Sequence, residues 1–80
     1  MNKLYTETMY NKNLFIASRV LYGKYKYKKF DDDVDVILAH ATHVMGKEMM
    51  NYNGTNEEYY KFAYGVAEQA IEECLQILRR

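Results

Sequence analysis

Apolar residues recur at intervals of three and four along the second half of this chain, the spacing of one helix face. After Thr55, the positions Tyr60, Ala63, Ala67, Ala70, Cys74 and Ile77 make one such row, flanked by Tyr64, Ile71 and Leu78. Thr55 and Glu58 form a capping box, in which the hydroxyl accepts from a first-turn amide and the glutamate returns to the cap. Asn53-Gly54 just ahead is turn chemistry. Glu57 and Glu58 in the first turn and Arg79 and Arg80 in the last both favour the helix dipole. This pattern predicts a helix over about 56–79.

A second row, Val34, Leu38, Ala41, Met45, Met49 and Tyr52, has Ile37 and Val44 on its shoulder. Asp31 to Asp33 offer an N-cap, with Asp35 near the helix start, so this helix is predicted over about 33–51. Gly46 falls off the row and weakens the helix by about 1 kcal/mol relative to alanine.

Tyr10, Leu14, Ala17 and Leu21 share a face with Val20 beside them, and Gly23 suits the position just past a helix end. A first helix over about 4–22 follows. Phe15, Ile16 and Tyr22 point away from that face. The competing arrangement is a hairpin turning at Gly23-Lys24, supported by the alternation in KYKYK. An isolated hairpin is only marginally stable, and the upstream run fits period 3.6 better than period 2.

The predicted fold class is therefore all-α: a three-helix antiparallel bundle forming one small helical domain over residues 1–80. Eighty residues bury little core, and with Cys74 the only cysteine no internal disulfide supports it. Tyr59, Phe62 and Val66 widen the apolar arc of the third helix beyond what one neighbour covers. Completion by homo-oligomerisation is the expectation. No apolar run resembles a signal peptide or reaches membrane-spanning length, and a lone cysteine fits a reducing compartment, so a cytoplasmic protein without membrane partners is expected. Nine tyrosines with no tryptophan or proline, and abundant Lys and Asn, match proteins of AT-rich genomes, including low-GC bacteria and their phages.

Charge adds a functional hint. The first thirty residues hold seven Lys or Arg against Glu7 alone, and the remaining fifty hold ten acids against four bases. A net charge of zero thus hides a strong dipole, which bears on partners more than on fold. At the junction, Lys24, Lys26, Lys28 and Lys29 alternate with Tyr25 and Tyr27, and Arg19 lies near the end of the first helix. Ammonium groups offset phosphate charge and phenol rings stack on bases, so this set is the candidate ligand-binding site for an anionic, nucleotide-like small molecule. Asp31, Asp32, Asp33 and Asp35 directly downstream would repel duplex DNA. They also offer the lysines partners within the protein, in which case the segment is a charge-paired loop.

Catalytic patterns are missing. No Ser-His-Asp grouping, glycine-rich phosphate loop or zinc-knuckle spacing occurs. His40 and His43 are three residues apart on the second helix, but Lys47 nearby would oppose a cation. Glu48, Glu68, Glu72 and Glu73 lack the paired Glu-x-x-His or Glu-x-x-Glu spacing of helical metal sites. The row of small residues holding Cys74 reads as packing between helices or subunits. The expectation is a non-catalytic regulator or sequestering protein with no cofactor. Its alternative is a protein–protein inhibitor or adaptor that acts on a larger factor through apolar and acidic helix faces.

Overall fold

A computed structural model of the chain describes residues 7–28 and 31–78. These form three α-helices, α1 (Glu7–Arg19), α2 (Val34–Met49) and α3 (Asn56–Leu78), with α1 running on into a π-helical turn, Val20–Lys24. The all-α expectation holds, and no strand occurs among the described residues. Lys24 ends a helical turn, so the hairpin alternative is overturned. Val20 and Leu21 are fully buried at helical spacing from Ile16 and Ala17, which a period-2 strand would not achieve. Positions 4–6 and 79 of the predicted helices lie outside the described residues.

Every helix packs on the other two. A six-residue connection, 50–55, makes α2 and α3 antiparallel neighbours. Tyr59, at the start of α3, meets Asn13 in α1, and Lys24 after α1 meets Glu68 further along α3. Hence α1 and α3 run the same way, and the topology is up-down-up. The 40 Å long axis is close to the length of about 35 Å expected for the 23-residue α3.

The core joins Ile16, Ala17, Val20 and Leu21 to Val34, Ile37, Ala41, Met45 and Met49, and to Ala63, Ala67, Ala70, Ile71, Cys74 and Leu75. Burial of each large aliphatic here contributes about 1.5–3 kcal/mol. The small row of α3 lies buried within this one chain, where it lets helices approach closely. Each predicted face is rotated slightly. On α1, Asn13 and Ile16 are buried and Tyr10 is 41% exposed; on α3, Ile71 and Leu75 go inside while Ile77 is 63% exposed. Gly46, expected off the stripe, is buried together with Thr42. The buried arc of α2 is widened because it packs against both α1 and α3.

Two connections explain how the helices are joined. At α3, the Thr55 hydroxyl accepts from the Glu58 amide at 3.3 Å, as its half of the capping box requires. The Tyr52 phenol donates to the Thr55 carbonyl at 2.6 Å, and its ring packs on Phe62 at 4.8 Å and edge-on to Tyr59 at 6.0 Å. A methyl group on Gly54 would strike that phenol ring and force it to shift. The start of α2 departs from expectation: Asp33 occupies the cap in the left-handed region, φ 70°, and makes no side-chain cap bond. Asp31 instead accepts from the Lys28 amide at 2.8 Å and so closes the preceding loop.

Candidate functional site

The tyrosine–lysine segment is shaped by how α1 ends. The Tyr25 amide donates to the Val20 carbonyl at 3.3 Å and the Tyr27 amide to Leu21 at 3.1 Å, both reaching beyond an α-helical turn. Lys26, at φ 61°, supplies the left-handed residue that stops the helix, and no glycine has positive φ. This corrects the expectation that Gly23 would close it. Tyr25 and Tyr27 pack against the core on either side of Lys26, and burying both rings carries the chain a further turn. That packing offsets a left-handed penalty of about 1–2 kcal/mol at Lys26.

The predicted ligands meet different surroundings. Lys24 Nζ is 2.7 Å from Glu68 Oε2, and this hydrogen-bonded ion pair raises the lysine pKa above its ordinary value. One turn along α3, Glu72 accepts from the Tyr25 hydroxyl at 2.8 Å. Loss of solvent around the phenol, followed by that bond, raises the Tyr25 pKa. The Arg19 guanidinium lies over the Phe15 ring, 5.8 Å from its centre. Lys26 and Lys28 are exposed, Tyr22 and Tyr27 are half-buried against the core, and Lys29 lies outside the described residues. Glu68 and Glu72 lie just where the field of Lys24 would otherwise favour a phosphate.

A second feature is concave. Tyr10 of α1, with Ala39, Thr42, His43, Gly46 and Lys47 of α2 and Met50 beyond it, lines an open, mostly apolar groove of about 440 Å³. Ala39, Thr42 and Gly46 follow one another at intervals of three and four, so a row of residues with small side chains or none forms its floor. The Thr42 hydroxyl is committed to its own helix, bonding the Leu38 and Ala39 carbonyls at 2.9 and 3.1 Å. It therefore presents mainly its methyl group. Met50, 59% exposed, and Tyr10 form the walls, and His43 and Lys47, exposed and one turn apart, make up the remaining lining. None of the described lining residues is an acid.

Periodicity along the chain does not disclose this groove. Its traces were the off-stripe Gly46 and the small residues Ala39 and Thr42 at the same helical spacing. Elsewhere, Cys74 is buried in the core, and burial together with the charge of Asp33 raises its thiol pKa. No cluster of three or more His, Cys, Asp or Glu able to hold a metal ion occurs among the described residues. No helix is long and apolar enough to cross a membrane among the described residues.

Comparison with known proteins returned no matching family model, no matching curated protein and no matching solved structure.

Proposed function

We propose that this chain is a non-catalytic binding protein that takes up a protein partner in the α1–α2 groove. The single observation behind this reading is a concave apolar surface with a floor of small residues, flanked by an exposed methionine and tyrosine. Small floor residues let a partner helix come near, and methionine adapts its shape to what it meets. Capture of a nucleotide-like anion through residues 19–29 is less well supported. Lys24 and Tyr25 already face Glu68 and Glu72, which makes the turn a strap on α3 rather than an open mouth.

Self-association remains part of the proposal on separate grounds. Phe15, Val36 and Ile77 are 60%, 55% and 63% exposed, and a second copy would cover such residues.

The test uses the protein as immobilised bait in a lysate of the organism that encodes it. A groove-dependent partner should stay bound at high salt, since apolar contact is not screened. It should be lost from Ala39→Trp, which fills the groove from an exposed position. Retention by Ala39→Trp, or release of everything bound when salt rises, would point to a charged surface and against the groove.

A further inference from the structure

The groove's own residues restrict what enters it, and the inference drawn from them rests on the groove reading above. From Ala39 to Met50 the lining follows α2 for about 16 Å, or three helical turns. Its floor is small and its solvent side open, whereas a small-molecule site would enclose most of its ligand. One side carries a cation: Lys47 stands beside His43, and no carboxylate lies among the described lining residues to balance it. An extended apolar trough with a cationic side calls for an amphipathic helix bearing an acid next to its apolar face.

We infer that the groove of Ala39, Thr42, Gly46 and Met50 binds a partner's amphipathic helix, about three turns long, through apolar anchors and a carboxylate facing Lys47. A second copy of this chain fits less well. The apolar faces of its three helices are already buried in its own core, so none is free to lie in the groove. The acid-bearing helix therefore comes from a different protein.

Two labelled, stapled helical peptides of about twelve residues test this, with leucines on one face and, beside that face, glutamate in one and lysine in the other. Fluorescence anisotropy should show the glutamate peptide binding the wild-type protein about tenfold more tightly than the lysine peptide. Lys47→Glu should invert the order, Lys47→Gln should level it, and Ala39→Trp should weaken both peptides. Residues 39 and 47 are exposed, and unchanged helical circular dichroism would confirm that each variant is folded. Equal affinity for the two peptides, absence of binding, or a preference unaffected by Lys47→Glu would overturn the inference. So would an Ala39→Trp variant that dissociates a homodimer in sedimentation, because a second copy would then be the occupant. Groove-dependent capture of a natural partner alongside indifference to peptide charge would refute the acidic helix and leave the groove reading intact.

Discussion

Lys24 and Glu68 lie 44 residues apart in sequence, and their charged atoms are 2.7 Å apart in space. With the neighbouring Tyr25–Glu72 bond, this contact ties the end of the first helical run to the side of α3. An exposed ion pair is worth only about 0–1 kcal/mol, so its main consequence is local charge rather than stability. Glu68→Gln should lower unfolding free energy only slightly, and the difference should shrink in high salt. Urea unfolding at low and high salt measures both.

The same strap makes stability sensitive to alkali. Folding raises the pKa of Tyr25 and of Lys24, so above their ordinary range the folded state holds protons that the unfolded chain has released. Stability from these groups is complete below about pH 10 and falls as pH rises through the folded values. Thermal melts at increasing alkaline pH should show this decline, and Tyr25→Phe combined with Lys24→Met should lessen it, the raised thiol of Cys74 and phenol of Tyr52 supplying the remainder.

Asn13 is fully buried in α1, and its side-chain carbonyl accepts from the Tyr59 hydroxyl at 2.8 Å. Tyr59→Phe removes this donor beside a desolvated amide and should cost about 1 kcal/mol, up to about 3. Asn13→Leu combined with it should cost less than the sum of the two single changes, since both remove the same hydrogen bond. Chemical denaturation of the single variants and the double tests the coupling.

Glycines at two sites should respond oppositely. Gly65 is exposed within α3 with open space where a methyl would go, so Gly65→Ala should stabilise the protein by about 1 kcal/mol. Gly54 lies under Tyr52, and Gly54→Ala should destabilise by about 1–3 kcal/mol because the stacked ring must move. Opposite shifts in melting temperature are the readout.

The helices were legible because their signals are local. The period of the Ala63–Ala67–Ala70–Cys74 row and the Thr55 cap both survive in the structure. Helix ends were harder to read. Gly23 looked like a terminator, yet the packing of Tyr25 and Tyr27 carried the stop to Lys26, a choice made by tertiary contact. Face rotations had the same origin: Asn13 is drawn inside by Tyr59, a partner invisible to periodicity. The candidate ligand set was legible only as composition. Alternating lysine and tyrosine could be read along the chain, but the arrival of Glu68 and Glu72 from α3 could not. The groove left only Gly46, Ala39 and Thr42 as its trace, because a concavity between two helices is not a property of either one.

A photo-reactive phenylalanine analogue tests most directly whether the groove is where a partner docks. Placed at His43 in the groove, and in a separate sample at Gln69 on the exposed side of α3, it is irradiated in a lysate of the encoding organism. The expected result is one discrete adduct from position 43 that disappears when Ala39→Trp is added, with no matching adduct from position 69. An adduct from position 69 instead, or one from position 43 that persists with Ala39→Trp, would contradict the groove as the binding surface.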